Sequence, residues 1–168
     1  MPSMRRNHKG GNKEMVTIRK GDLLHAEETI IAHQVNCCGA AGGLAAAVFE
    51  KYPDAENDYY QIIDRCHEIG SQEYSLLGVS QLTGQQKDGH IIANLYGQFF
   101  PGEDYRPEAL EKALRDLAAF AKLSEMSVAL PYKLSCGICG GNWTEVLQII
   151  TRTMKGVNCV IYRREGDR

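Results

Sequence analysis

Two glycine-rich segments are the part of this sequence whose residue types and spacing suit chemistry. The first reads NCCGAAGGL over residues 36–44, and the second reads SCGICGGNW over residues 135–143. Glycine lets the backbone approach a ligand closely, and amide groups at the start of a helix attract anions. Two such loops at one edge of a sheet would clamp a diphosphate from opposite sides. As a pair they predict a phosphate site, whereas a tight strand-to-helix turn explains either one alone.

Neither glycine-rich segment matches the common nucleotide motifs. A Walker loop ends in Gly-Lys-Ser or Gly-Lys-Thr, and the dinucleotide fingerprint reads G-x-G-x-x-G. Both patterns are missing from residues 36–44 and 135–143. The phosphate site predicted here is therefore of another type.

Strand and helix patterns alternate along the chain and would position both loops. Apolar, β-prone runs predict strands over residues 15–19, 29–35, 77–82, 90–95, 127–130 and 157–162. Helical spacing of apolar residues predicts helices over residues 44–52, 54–69 and 143–154, with Pro53 ending the first of them. A further helix has its core face over residues 110–121, with Pro107 and Glu108 near its start. Each glycine-rich segment then follows a strand and precedes a helix. Interleaved strands and helices predict a largely parallel or mixed sheet covered on both faces, with ligands at the carboxyl ends of its strands.

Length and composition limit the remaining possibilities. The 168 residues suffice for one domain, over residues 15–168, and the net charge of −2 gives no general attraction for nucleic acid or membranes. No apolar run is long enough to span a bilayer. Residues 1–14 are basic and polar, which predicts a disordered arm. The six cysteines, without a secretory signal, predict reduced thiols and a cytoplasmic protein.

Several motifs together resemble the macrodomain family. They are GDLL at residues 21–24, HQVNCCGAAGG, IIANLYGQ, YRPEALEKAL and SCGICGGNW, and the resemblance covers residues 16–162. It is closest to the branch that contains ADP-ribose-1″-phosphate phosphatases and terminal ADP-ribose glycohydrolase-like enzymes. The resemblance implies a three-layer α/β/α fold with a central mixed, mostly parallel sheet. It also implies ADP-ribose or a derivative as the ligand, with no cofactor and no metal.

The resemblance assigns roles to individual positions. Asp22 would accept a hydrogen bond from the adenine amino group, since a carboxylate only accepts and this amino group donates. Tyr162 would pack near the adenine, and Asn36 would contact the distal ribose. The glycines of both loops would present backbone groups to the ribose and the diphosphate. The full ligand-binding set is Asp22, Leu23, Asn36, Gly39, Gly42, Gly43, Leu44, Ser135, Cys136, Gly137, Ile138, Cys139, Gly140, Gly141, Asn142 and Tyr162.

Three residues are candidates for catalysis, and two of them have structural alternatives. His33 lies on an apolar strand, where an imidazole is either a hydrogen-bonded structural residue or a general acid and base. Asn142 precedes a helix and Glu145 follows three residues later, so the pair resembles a capping box, which is the favoured interpretation. Asn36 would orient water or ribose. Asp22 likewise has an alternative, since an aspartate after glycine often caps a short turn.

The two loops also depart from the family pattern. The first loop usually reads G-x-M-G-x-G, so either Leu44 replaces the last glycine or the loop is one residue short and Gly43 is that glycine. In the second loop, Asn142 stands where the family often has an acidic residue. The glycohydrolase-like branch also uses a lysine, and the NLYGQFFPG stretch has none. These differences disfavour a mechanism through a lysyl adduct.

The cysteines of the loops suggest two further kinds of site, which we discount. Cys136 and Cys139 form a CxxC pair, but two glycines separate it from the helix start, unlike in redox sites. Cys37 and Cys38 could join them around zinc only from adjacent positions, which is poor chelate spacing. No metal site is therefore predicted.

These observations leave three functional hypotheses. The leading one is hydrolysis of ADP-ribose-1″-phosphate or of an ADP-ribosyl ester, with water as the nucleophile and positioning as the main catalytic effect. The second is a binding module that recognises free or protein-linked ADP-ribose without turnover. The third is a loop pair for another nucleotide. An ADP-ribosylated protein is a candidate partner, whereas neither a membrane nor a nucleic acid is expected as one.

Overall fold

A computed structural model describes residues 15–70 and 73–168, which form one six-stranded sheet with four α-helices. The strands are β1 (Val16–Lys20), β2 (Ile30–Val35), β3 (Ser80–Leu82), β4 (Ile91–Tyr96), β5 (Val128–Pro131) and β6 (Cys159–Arg163). The helices are α1 (Gly43–Lys51), α2 (Pro53–Glu68), α3 (Pro107–Ser124) and α4 (Trp143–Thr153). The arm predicted for residues 1–14 lies outside the described residues.

The sheet is mixed and mostly parallel, as the sequence predicts. Its strand order is β1-β6-β5-β2-β4-β3, and β3 alone among the described strands runs antiparallel to its neighbour. The neighbouring inner strands β2 and β4 are nearly continuous runs of buried residues, IIAHQV in β2 and IIANLY in β4. Such runs are typical of strands that are covered on both faces.

Helices cover both faces of the sheet, which gives the three layers. On one face, Ile30 belongs to a core that includes Leu114 of α3 and Val146 of α4. On the other face, Ile31 belongs to a second core that includes Phe49 and other residues of α1 and α2. Successive strand residues point to opposite faces, so neighbours in the sequence contribute to different cores. No described helix combines the length and the apolar character needed to cross a membrane.

Two of the differences between predicted and observed element boundaries have a clear local cause. The predicted strand over residues 77–82 is wrong in its first half, because a turn precedes β3 and Gly78 adopts a left-handed φ of 84°. A bulkier residue would be strained there, so the β-prone composition is overridden by the turn. Pro53 ends α1 as expected, but it also begins α2 at the first helical position. The missing N–H of proline has no partner to lose at that position.

Candidate functional site

The carboxyl ends of neighbouring strands bring the two glycine-rich segments together. The first segment follows β2 and the second follows β5, and these strands are adjacent and parallel. The chain then continues into α1 on one face and into α4 on the other. A crevice forms where neighbouring connections leave the sheet in opposite directions, and ligands of open α/β sheets bind at such points.

A cleft of about 440 Å³ lies between these two segments. It is lined by residues 34–36, 40–45, 59, 98, 101, 102, 131 and 133–139. The lining is largely apolar side chains and backbone, and Leu44 and Ile138 are exposed at its mouth. Its size and largely apolar lining suit a small-molecule ligand.

Asn36 holds the first glycine-rich loop in shape. Its Oδ1 accepts hydrogen bonds from the backbone N–H of Cys38 at 3.0 Å and from the hydroxyl of Tyr59 at 2.7 Å. Its Nδ2 donates to the carbonyl of Ala40 at 2.9 Å. The side chain is 8% exposed and lines the cleft. Asn36 therefore orders the loop, and Tyr59 supports it from α2.

The start of α1 is open toward the cleft. Gly42 precedes the helix and provides no side-chain cap, and Gly43 begins it with a φ of 52°. A Cβ atom on either glycine would meet no other atom within 4 Å, so the surrounding space is free. The first amide groups of a helix carry a partial positive charge. This helix start is consequently suited to an anion.

The second glycine-rich loop has an unusual backbone. Lys133 and Ser135 both adopt left-handed conformations, with φ values of 57° and 63°. The N–H of Gly141 donates to the carbonyl of Ser135 at 2.8 Å. A Cβ atom at Gly141 would lie 2.5 Å from that carbonyl oxygen and 2.9 Å from the ring of Tyr105. Only glycine therefore fits where the loop closes on itself.

Asn142 caps α4, as its capping interpretation predicts. Its Oδ1 accepts a hydrogen bond from the backbone N–H of Glu145 at 3.2 Å, and its own backbone is extended. The residue is exposed and does not line the cleft. The N-terminus of α4 is thus satisfied by the chain itself, unlike that of α1. The catalytic role predicted for Asn142 stays a prediction.

Gln34 connects the loops beneath the cleft, and the sequence analysis missed it. Its Oε1 accepts a hydrogen bond from the hydroxyl of Ser135. Its Nε2 donates to Oε1 of Gln98 at 2.8 Å and to Sγ of Cys139 at 3.5 Å. A Cβ atom at Gly97 would overlap Oε1 of Gln34, so glycine makes room for this side chain. The side-chain amide of Gln34, at the end of β2, therefore links the segments that follow β4 and β5.

The expected adenine end lies at the carboxyl ends of β1 and β6. Oδ1 of Asp22 accepts a hydrogen bond from the N–H of Leu24 at 3.0 Å, so Asp22 does cap a short turn. The ring of Tyr162 packs against Gly21, and its hydroxyl donates to Oε1 of Glu28 at 2.5 Å. Neither Asp22 nor Tyr162 lines the cleft. Their contacts with adenine stay predictions.

His33 is buried beneath the site rather than exposed in it. Its side chain faces α1, where its ring meets Phe49 edge to face, and its exposed fraction is 0%. Nε2 lies 2.6 Å from Oδ1 of Asn94. The amide nitrogen of Asn94 donates to Ala55 and Gln81, so Nε2 of His33 carries the proton in this contact. Nδ1 has no hydrogen-bond partner among the described residues.

Burial also controls the charge of His33. Desolvation lowers the pKa of this imidazole from 6.5 to about 4, although the hydrogen bond with Asn94 acts in the opposite direction. The ring is therefore neutral at physiological pH and separated from the cleft. The geometry favours the structural interpretation of His33, and its role in proton transfer stays a prediction.

The predicted site residues divide into two groups by position. Those that line the cleft are Asn36, Gly42, Gly43, Leu44, Ser135, Cys136, Gly137, Ile138 and Cys139. Those that do not are Asp22, Leu23, His33, Gly39, Gly140, Gly141, Asn142 and Tyr162. Leu23 is 3% exposed and belongs to the apolar core with α1 and α2, so its side chain is not available to a ligand.

Several lining residues escaped the sequence analysis. The most informative are Gln34, Tyr59, Gln98 and Lys133. Three of them stand at or just beyond the ends of predicted strands, and that position was the available clue. Tyr59 lies within α2 and reaches the cleft only through the packing of that helix. Nothing in its sequence neighbourhood indicates a site.

The cysteines near the cleft are reduced thiols. All six cysteines of the sequence are described, and none forms a disulfide. Burial raises the pKa of Cys136 to about 11 and that of Cys37 to about 12, so both are protonated near neutral pH. Within residues 15–70 and 73–168, no three His, Cys, Asp or Glu side chains are grouped to hold a metal ion. Chemistry that depends on a thiolate is thus disfavoured here.

Comparison with known proteins identifies relatives of the chain. No protein-family model matches it. It is 30% identical over 151 residues to the ADP-ribose 1″-phosphate phosphatase of Candida albicans, which covers 78% of this chain and 88% of the relative. It is also 30% identical over 162 residues to a DNA ADP-ribosyl glycohydrolase of Mycobacterium tuberculosis. That match covers 90% of this chain but 43% of the relative, so the chain spans less than half of the glycohydrolase.

A solved structure supports the same relationship. The fold is similar to that of the macrodomain of Mycobacterium tuberculosis DarG, with a TM-score of 0.74 and 26% sequence identity. The similarity covers 88% of this chain and 97% of that domain. The sheet, both helical layers and the loops at the carboxyl edge therefore belong to a known architecture.

Proposed function

Since the chain belongs to the macrodomain family, we propose that its cleft binds ADP-ribose or a derivative. We further propose that it hydrolyses ADP-ribose 1″-phosphate or an ADP-ribosyl ester. The names of its relatives, an ADP-ribose 1″-phosphate phosphatase and a DNA ADP-ribosyl glycohydrolase, support binding of ADP-ribose and hydrolysis of an ADP-ribose derivative. An ADP-ribosylated protein is the proposed macromolecular source of the ligand.

The pairing of the two glycine-rich loops is the observation that carries this proposal. They follow adjacent parallel strands and face each other across the cleft. The uncapped start of α1 at Gly42 and Gly43 would hold one side of the diphosphate. The backbone of residues 135–139 would hold the other side. Adenine would then lie toward Asp22 and Tyr162, and the distal ribose toward Asn36.

Positioning would supply most of the catalysis. Water is the proposed nucleophile, and orientation of a bound reactant can lower a barrier by several kcal/mol, up to ~10. Asn36 would orient the distal ribose or water through the loop that it holds in shape. Neither Asn142 nor His33 lines the cleft, so a role for either in proton transfer or water orientation would need a bridging group between it and the substrate.

One observation favours binding without turnover as a second candidate. Among the described residues that line the cleft there is no aspartate, glutamate or histidine. General acid and base catalysis is usually performed by these side chains. A reader of ADP-ribose needs none of them, whereas a hydrolase without them depends on positioning alone.

Calorimetry and a phosphate assay separate these possibilities. We expect the protein to bind ADP-ribose and to release phosphate from ADP-ribose 1″-phosphate, or ADP-ribose from a modified protein. Binding with no release from either substrate would leave the reader function. Failure to bind ADP-ribose at high concentration would reject both functions and indicate another nucleotide.

The same calorimetry on Asp22→Ala tests whether the adenine of ADP-ribose lies against Asp22. Loss of a hydrogen bond to a carboxylate should weaken ADP-ribose binding by about tenfold. Asp64→Ala is the matched control, since Asp64 is exposed on α2 and does not line the cleft. Equal affinities for the two variants would show that adenine does not lie against Asp22.

A further inference from the structure

The cleft contains a single formally charged side chain among its described lining residues. Lys133 is that residue, and the other lining side chains are apolar, amide, hydroxyl or thiol groups. The ionisable ones are held in their neutral forms: burial raises the pKa of Tyr59 and Cys139, and raises that of Cys136 to about 11. Lys133 is therefore the one residue of the described lining whose side chain carries a formal charge.

Lys133 has no counter-charge in the described part of the chain. No carboxylate forms an ion pair with it there, and its recorded side-chain contact is with the ring of Tyr132, whose centroid lies 5.8 Å from Nζ. The residue is half-buried. No carboxylate of the described chain therefore neutralises this charge, which leaves it available to a ligand anion.

The backbone conformation of Lys133 is unfavourable. Its φ of 57° is left-handed, a conformation that favours glycine, yet the position holds a long charged residue. The carbonyl of Lys133 accepts a hydrogen bond from the N–H of Cys136 at 2.9 Å, which fixes the turn. Unfavourable backbone conformations that persist in folded proteins cluster at ligand sites.

The ammonium group lies close enough to influence the second loop. Its positive charge acts against the burial that raises the pKa of Cys136, a residue in the wall of the cleft. Carboxylates occur nearby but outside the lining, since Glu103 packs against Gly140 from the connection between β4 and α3. No carboxylate therefore stands in the described wall of the cleft to repel an anion that enters it.

We propose that Lys133 is the phosphate-binding cation of the cleft and makes it selective for phosphate-bearing ligands. This inference rests on the proposed function for the identity of the ligand, because ADP-ribose carries a diphosphate and its 1″-phosphate derivative carries a phosphomonoester as well. The diphosphate and the phosphomonoester would be recognised in the same way, since in each an anionic phosphate oxygen accepts a hydrogen bond from the ammonium group. Backbone amides of the loops would complete the phosphate site.

Lys133→Met tests the proposal, because methionine has an unbranched side chain of similar length and carries no charge. We expect its affinity to fall by about tenfold, in line with loss of a charge-assisted hydrogen bond. Binding should also become less sensitive to ionic strength. Lys133→Arg should retain most of the affinity. Calorimetry with ADP-ribose and with ADP-ribose 1″-phosphate, at two salt concentrations, measures all of these.

The two ligands distinguish the two phosphate sources. An equal loss for both would place Lys133 on the diphosphate, and a loss confined to the 1″-phosphate derivative would place it on the phosphomonoester. Wild-type affinity and salt dependence in Lys133→Met would overturn the proposal. Lys87→Met, at an exposed lysine in the turn between β3 and β4, is the matched control.

Inorganic diphosphate separates this proposal from the proposed function. If the wild-type protein binds diphosphate but not ADP-ribose, the proposed function fails. The role of Lys133 is then still tested by comparing the diphosphate affinity of Lys133→Met with that of the wild-type protein. If it binds neither ligand, the phosphate site is rejected as well. Lys133→Gln serves as a second neutral variant should the methionine variant fail to fold.

Discussion

At the scale of single residues, burial decides what His33 can do. A histidine three positions before Asn36 on a predicted strand is compatible with a catalytic base or with a structural residue. The structure places its ring at 0% exposure against Phe49, with a hydrogen bond to Asn94. An imidazole without water around it resists protonation. The sequence identifies an imidazole at this position. The environment of that imidazole depends on how α1 and β4 pack around it.

Stability should therefore depend on pH through His33. Its pKa is about 4 when folded and 6.5 in the unfolded chain, so the unfolded state binds more protons between these values. The stabilisation is fully present above pH 6.5 and is lost as pH falls toward 4, by up to about 3 kcal/mol. Denaturant unfolding across this range should show the fall, and His33→Gln should remove the part due to this residue.

His25→Gln provides the control for this prediction, since His25 is exposed. It should retain the pH dependence of the wild-type protein. An unchanged pH profile in His33→Gln would show that His33 is not the buried neutral group described here. Turnover of the same variants at neutral pH tests the predicted catalytic role of His33.

At the scale of secondary structure elements, the two helix starts at the cleft differ. Asn142 caps α4 with its own side chain, and the capping pattern was visible in the sequence. Gly42 leaves α1 uncapped, which could not be distinguished from a tight turn by composition alone. The sequence predicts a phosphate site between the two loops and favours a cap at Asn142 on the second helix start. In the structure the start of α1 has no side-chain cap, so it is the helix start suited to a phosphate.

Asn142→Ala should destabilise the domain through α4. Loss of a helix-capping side chain typically costs about 1 kcal/mol, because a backbone N–H loses its partner. Asn142→Asp should keep the stability, since a carboxylate caps equally well and its charge suits a helix start. Denaturant unfolding of both variants measures this. Equal stability of Asn142→Ala and the wild-type protein would contradict the capping role.

At the scale of the whole molecule, the cleft depends on contacts between distant segments. Gln34, Gln98 and Ser135 follow or end three different strands, and their side chains meet because β4, β2 and β5 are neighbours in the sheet. Each residue is an ordinary polar position when its local sequence is considered. Their function as a link between loops emerges only from the strand order.

Gly97→Ala should disturb this link. Its Cβ would overlap Oε1 of Gln34, and displacement of that side chain would release its hydrogen bonds to Gln98 and Ser135. We expect a loss of about 1–3 kcal/mol in the free energy of unfolding, as for other overpacked sites. Binding of ADP-ribose should weaken as well, because both loops shift. Unfolding and calorimetry report the two effects.

Gly84→Ala is the matched control for this variant. A Cβ atom at Gly84 meets no atom within 4 Å, and its backbone is not left-handed. The stability of this variant should equal or slightly exceed that of the wild-type protein, since alanine has less conformational freedom when unfolded. If the two alanine variants behave alike, the contact between Gly97 and Gln34 does not support the cleft.

The sequence by itself determined the alternation of strands and helices, the family, the two glycine-rich loops and the cap on α4. These features follow from local patterns, which depend on residues close together in the chain. The tertiary structure alone decided which side chains line the cleft, that Lys133 is the charged residue among the described ones and that His33 lies outside it. Burial and charge pairing depend on contacts between residues far apart in the chain, and those contacts exist only once strand order and helix packing bring the segments together.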